Sequence, residues 1–199
     1  MIRLILPLAS RVQVIRNETV SNEVFAGEAM KRQRGFSLIE LLIVVAIILI
    51  IAAIAIPNLL RSKIAANESS AAASVRTIDT AEVTYAATWG SGYSPDLTSL
   101  GGASPCKLAA ATAACLIDPL LSQPPNTKSG YVFAAAGNNL AGGSLNGFEA
   151  NATPAAYQAT GVRTFCSDQT GVIRFNTTGA AIGTGAGSCV AGGAILVGN

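Results

Sequence analysis

The sequence predicts an α+β protein. One long N-terminal α-helix, transmembrane over its first half, packs on a small antiparallel β-sheet, and disulfides tie a loop-rich C-terminal region. Three observations carry this reading. The 21 residues from Phe36 to Ile56 include only two polar side chains, Ser37 and Glu40. Apolar residues then recur at helical spacing as far as Trp89. Short runs bounded by Gly, Pro, Asn and Asp fill the last third, and all four cysteines lie beyond the helix.

The chain divides by composition into residues 1–35, 36–57, 58–89, 90–129 and 130–199. The first part carries the positive charge. Of 13 Lys and Arg, only Arg61, Lys63, Arg76, Lys107, Lys128, Arg163 and Arg174 lie beyond Gly35. Of 11 Asp and Glu, eight lie there: Glu40, Glu68, Asp79, Glu82, Asp96, Asp118, Glu149 and Asp168. From Phe36 onward the charge is therefore near −1, and the overall +2 belongs to the leading segment. Residues 10–29 are mixed and polar, and Met30 stands six residues before Phe36. Translation is expected to begin at Met30, with Met30–Gly35 as a short leader that is not part of the fold.

At about 1.5 Å per residue, a helix over 36–56 spans roughly 30 Å, the depth of a bilayer's hydrocarbon core. The basic Lys31-Arg32-Gln33-Arg34 before it holds that flank in the cytoplasm. Glu40 is the misfit, because a carboxylate in hydrocarbon costs several kcal/mol without a partner. One reading is a plain single-pass anchor with Glu40 hydrated near the interface. The other is that Glu40 awaits a cation. Cleavage after Gly35 supplies one, the free α-amine of Phe36, four residues away.

The run Lys31-Arg32-Gln33-Arg34-Gly35-Phe36-Ser37-Leu38-Ile39-Glu40-Leu41-Leu42-Ile43 resembles the class III leader junction of type IV pilins and type II secretion pseudopilins. The resemblance implies the type IV pilin fold. It implies cleavage after Gly35 and methylation of the new Phe36 amine by one prepilin peptidase, and pairing of Glu40 with a neighbouring subunit's N-terminus. It also implies these partners: further copies of the chain in a helical filament, the peptidase and N-methyltransferase, an inner-membrane assembly platform, and membrane lipid before assembly. The chain would move from the inner membrane to an extracellular filament. A pseudopilin, a minor pilin and, from another class, a membrane-anchored adhesin or DNA-uptake domain are the alternatives.

Beyond the span, Pro57 removes one helical hydrogen bond and loosens the helix. Leu60, Ile64, Ala71, Val75, Ile78, Tyr85 and Trp89 then form one apolar stripe, with Arg61, Lys63, Glu68, Arg76, Asp79 and Glu82 mostly off it. Gly90-Ser91-Gly92 ends the helix near Thr88. Asp96 is the expected N-cap of a short turn over 96–100, and Lys107–Ala114 is expected to form a short helix between Cys106 and Cys115. Asp118-Pro119 and Gln123–Asn126 are turn signals. Strands are expected over 130–135, 155–160, 163–167 and 172–176. Asp168–Gly171 makes the last hairpin turn, with Gly171 at positive φ, and this hairpin also looks like that of many bacterial pilin-like proteins.

The four cysteines read as two disulfides with three possible connectivities. Proximity favours Cys106–Cys115 and Cys166–Cys189, each adding about 2–4 kcal/mol. The absence of histidine removes Ser-His and Cys-His catalysis and imidazole metal sites, so no enzyme, cofactor or metal centre is expected. Asp96, Asp118 and Asp168 lack the spacing of a calcium loop. Gly183–Gly187 lacks the Lys-Ser/Thr of a phosphate loop, and no basic patch predicts a nucleic-acid partner. Asn151-Ala152-Thr153 fits a glycosylation sequon.

Overall fold

A computed structural model describes residues 35–102 and 105–192, and the backbone of 195–196. The segment before Gly35, including the start expected at Met30, lies outside the described residues. The residues up to Leu42 form one unit and those from Ile43 onward another.

Helix α1 runs over Leu38–Trp89, 52 residues, and is unbroken at Pro57. Three short helices follow: α2 (Leu97–Gly101), α3 (Pro119–Ser122) and α4 (Ser188–Ala191). The strands are β1 (Thr127–Lys128), β2 (Tyr131–Ala141), β3 (Ser144–Pro154), β4 (Thr164–Asp168), β5 (Arg174–Asn176) and β6 (Ile195–Leu196). They form one sheet in sequence order, every neighbour antiparallel. One face of this sheet packs on α1. Ala71, Val75, Ile78, Ala81 and Tyr85 meet Tyr131, Phe133, Phe148, Ala150, Ala152 and Phe165 in a single core. Each large side chain fully buried there contributes about 1.5–3 kcal/mol. The opposite face carries the C-terminal tail, where Cys166, Ile182 and Cys189 form a second small cluster.

The long β2–β3 hairpin was only half legible. The strand expected over 130–135 continues to Ala141, and its partner β3 was not expected at all. Gly142-Gly143 makes the turn with φ of +61° and +84°, the mirror-image turn that suits strand twist. β3 is central and buried on both faces: Phe148, Ala150 and Ala152 look toward α1, while Glu149 and Asn151 bond to the tail.

Four other expectations are corrected. Residues 155–160 are a turn, closed by Thr160 N–H to Ala156 C=O, and not a strand. Lys107–Ala114 is no helix. Ala110 and Ala113 exchange both backbone bonds across a tight turn instead. A helix there and a Cys106–Cys115 disulfide exclude each other. Nine helical residues would hold the two Cα atoms about 13 Å apart, whereas the bonded pair sits at 5.8 Å. Residues 172–173 precede the short β5 rather than belonging to it. Leu60 is exposed, and the buried part of α1 begins near Ile64 and Glu68.

Other expected details are present. Asp96 Oδ1 accepts from Ser99 N–H at 2.7 Å and caps α2. Gly171 has φ +69°. The cysteines pair as Cys106–Cys115 and Cys166–Cys189. After α1, the chain turns back at Gly92, where Tyr93 N–H reaches Leu145 C=O at 2.8 Å. A Cβ on Gly92 would stand 2.2 Å from that carbonyl oxygen, at φ +85°, so only glycine fits.

Candidate functional site

The candidate site is the start of the described chain. Gly35, Phe36 and Ser37 precede α1 in non-helical backbone, and all three are exposed. Among the described residues, nothing lies within 4 Å of where a Cβ on Gly35 would be. The Gly35–Phe36 bond thus lies outside the helix and is flanked by exposed residues. Leu41 N–H bonds Ser37 C=O at 3.2 Å, which makes Ser37 the residue that opens the helix. Glu40 falls in the first turn. There the free backbone N–H groups and the positive end of the helix dipole favour a carboxylate, by about 0.3–1 kcal/mol at exposed sites. This local compensation was readable in the sequence. Ser37 and Glu40 stand at the S-x-x-E spacing of a capping box.

Behind Glu40 the helix is apolar on every side. From Phe36 to Leu60, 17 large apolar side chains are exposed, and none of the most apolar stretch is buried within the chain. At about 1.5–3 kcal/mol each, leaving them in water costs tens of kcal/mol. Such a surface must be covered by lipid or by other chains. Pro57 leaves the Ala53 carbonyl without its helical donor at the end of this stretch.

The second half of α1 is a keel for the sheet, and carboxylates make its joints. Glu68 Oε1 accepts from the N–H groups of Val162 and Arg163 at 2.9 and 3.0 Å, and Oε2 pairs with the Arg163 guanidinium at 2.7 Å. Asp79 accepts from Ser167 Oγ on β4 at 2.8 Å. Glu82, fully buried, takes Ser94 N–H and its hydroxyl at 2.8 and 3.1 Å. These three acids were expected off the buried stripe and are on it. The signal was present: they occupy or adjoin the gaps of seven between Ile64 and Ala71 and between Ile78 and Tyr85.

Burial drives the Glu82 carboxyl up to about 7; Ser94 opposes this, while Asp79 and Asp96 add to it. Burial likewise lifts Asp79 to about 6, with Ser167 and Arg76 opposing and Asp168 reinforcing. Both acids hold a proton in the folded chain at pH values where the unfolded chain has lost it. The stability they lend is complete in acid and is lost as pH rises through about 7. Glu82→Gln keeps a neutral acceptor for Ser94 and removes its share of that slope, about 2–3 kcal/mol between pH 5 and 8. Urea melts at the two pH values check this. Equal losses in the parent and the variant contradict it.

On the other face, Glu149 Oε2 accepts Cys189 N–H at 2.7 Å and Asn151 donates to Ile182 C=O at 2.6 Å. Asn151 is 5% exposed, so its sequon is not presented by the folded chain. Asp96 and Asp118 are helix caps and Asp168 holds the Thr170 turn. Among the described residues no three such ligands gather for a metal ion.

Residues 30–56 match the prokaryotic N-terminal methylation motif. That motif, the long apolar helix and the antiparallel sheet with its disulfides resemble those of type IV pilins. Over 54 residues the chain is 48% identical to the type IV major pilin protein PilA of Myxococcus xanthus, a match that covers 27% of this chain and 24% of that protein. Over 40 residues it is 58% identical to the type IV wide pilus major component PilA4 of Thermus thermophilus, covering 20% and 30% respectively. The chain thus spans less than a third of the length of these relatives. No solved structure gives a significant match.

Proposed function

We propose that this chain is the precursor of a structural subunit of a type IV pilus. It is stored as a single-pass protein of the inner membrane and cut after Gly35 by a prepilin peptidase. The same enzyme methylates Phe36, and an inner-membrane platform adds the subunit to a helical homo-oligomer that extends from the cell. The supporting observation is one stretch. An open Gly35–Phe36 bond lies four residues before Glu40 in a helix whose apolar surface the chain itself leaves uncovered. The two relatives, both major pilus components by name, favour the pilin reading over the pseudopilin one.

Moving from lipid to a filament core changes apolar burial little. The new term is the Glu40 carboxylate against a neighbour's Phe36 amine, a charge-assisted contact away from water. Pro57, in this reading, lets the buried half of the helix adapt to its neighbours without disturbing the keel. Mass spectrometry of filaments sheared from cells tests the proposal, with a dominant chain starting at N-methylated Phe36 expected. Filaments lacking that peptide, or containing it only in traces, overturn the structural-subunit reading. Gly35→Arg should leave the uncut precursor in the membrane and the cells bald, because the long side chain occupies the space the peptidase needs beside the scissile bond.

A further inference from the structure

A groove lies apart from the Gly35–Glu40 stretch. It has a volume of about 370 Å³ and lies between α1 and the loop before β4. Ile64, Ala65 and Val162 give it an apolar floor, with Arg61, Glu68, Arg163 and Thr177 at its edges. Arg163 is fixed before any ligand arrives. Glu68 holds Nε and one terminal nitrogen, and the rings of Phe165 and Phe175 lie 5.7 and 5.2 Å from the guanidinium carbon. The remaining nitrogen, Nη1, has no acceptor among the described residues. Arg61 carries a second guanidinium in no ion pair there. An anion with an apolar body matches these walls.

The position of the groove along α1 selects the anion. Arg61 directly follows Leu60, the last of the exposed apolar run. It stands about 8 Å beyond Ile56 along the helix axis. A bilayer's polar layer extends about 5–8 Å beyond the hydrocarbon on each side. With the span in the membrane the groove therefore opens among lipid headgroups. A second copy of the chain has little to offer in place of lipid. Beyond the apolar run, its exposed or half-exposed carboxylates among the described residues are Asp96 and Asp118. Both cap helices, and Asp118 also pairs with Lys128.

We propose that this groove binds the phosphate headgroup of an anionic phospholipid while the subunit is stored in the membrane. Arg61 and Arg163 take the phosphate, and Ile64, Ala65 and Val162 seat the glycerol and upper acyl carbons. The proposal rests on the membrane-stored reading above. Entry into the filament then requires release of this lipid.

The test uses the full chain in lipid nanodiscs containing equal phosphatidylglycerol and phosphatidylcholine, with retained lipid counted by native mass spectrometry. Wild type should keep phosphatidylglycerol preferentially. Arg61→Ala should cut the preference about fivefold, the worth of one cation at an anionic surface. Ala65→Trp, which fills the groove without changing charge, should cut it as much. Lys63→Ala, two residues away and outside the groove, should leave it intact. No preference in wild type, or equal losses from Arg61→Ala and Lys63→Ala, overturns the proposal. So does a photo-crosslinker at Ala65 that captures a second copy instead of lipid. A chain that never enters the discs overturns the membrane-stored reading as well, whereas insertion without lipid preference overturns this proposal alone.

Discussion

Under the proposed function, Glu40→Ala is expected to leave the precursor folded, inserted and cut after Gly35, and to reduce surface filaments to a small fraction of the wild-type level. The chain itself gives Glu40 little to lose. Among the described residues its side chain makes no hydrogen bond or ion pair, and its place in the first turn of α1 is worth about 0.3–1 kcal/mol. In lipid the alanine variant is the easier one to hold, since a carboxylate there is costly. The penalty arises only when subunits meet. A charge-assisted hydrogen bond contributes about 1.5–3 kcal/mol, which is roughly ten- to a hundredfold in the equilibrium for each added subunit. In the proposed filament that contact repeats at every subunit, so assembly is expected to fail while folding does not. Glu40→Gln keeps a hydrogen-bond acceptor without the charge and falls between the two. Immunoblots of sheared and membrane fractions, with the N-terminal mass of the membrane-held chain, separate assembly from cleavage. Normal piliation in Glu40→Ala removes Glu40 from the assembly contact.

The parts of this molecule that were legible in the sequence are those in which a physical constraint acts locally. The long apolar helix, which begins at Leu38, the stop at Gly90-Ser91-Gly92, the cap at Asp96 and the positive φ at Gly171 each depend on a few neighbouring residues. The failures share a different cause. β3 has the composition of a loop, with Asn146, Gly147, Glu149, Asn151 and Pro154 among its residues. It is a strand because both its faces are covered by α1 and the tail, and no local periodicity records that. The Gly142-Gly143 turn ahead of it was a readable hairpin signal that the weak strand composition masked. The Ala-rich segment after Cys106 had helical propensity but not helical dimensions, since its disulfide holds the two Cα atoms at 5.8 Å. Glu68, Asp79 and Glu82 look like a solvated helix face only while their partners are unknown. Each meets a donor brought from elsewhere in the chain, so a position that reads as polar surface is a buried joint.

The joint at Glu68 is where the largest loss of stability is expected. Glu68→Ala removes the acceptor of two backbone N–H groups and the partner of Arg163 in one step. A buried donor left unpaired costs about 1–3 kcal/mol, and breaking a fully buried ion pair about 3–5 kcal/mol. The Arg163 side chain is 43% exposed, so water recovers part of its loss. The expected total is about 3 kcal/mol, or roughly 10 °C in Tm for a chain of this size. Glu68→Gln keeps one oxygen for Val162 and Arg163 and loses only the charge, so about 1 kcal/mol is expected. Trp89, the sole tryptophan, packs on Tyr85 at 4.9 Å and reports unfolding by its fluorescence in the detergent-held full chain. The pH dependence identifies the cause. Burial pushes the Glu68 carboxyl up, but the two N–H donors and Arg163 more than reverse this and hold it below the ordinary value. Its stabilisation is therefore present at neutral pH and is lost as pH falls through the carboxylate range, opposite in sign to that of Glu82. Glu68→Ala should lose this acid-side decline and keep the decline above pH 5 that Glu82 causes. A variant as stable as the parent at pH 7, or one that retains the full acid-side decline, shows that Glu68 does not hold the loop before β4 to the keel.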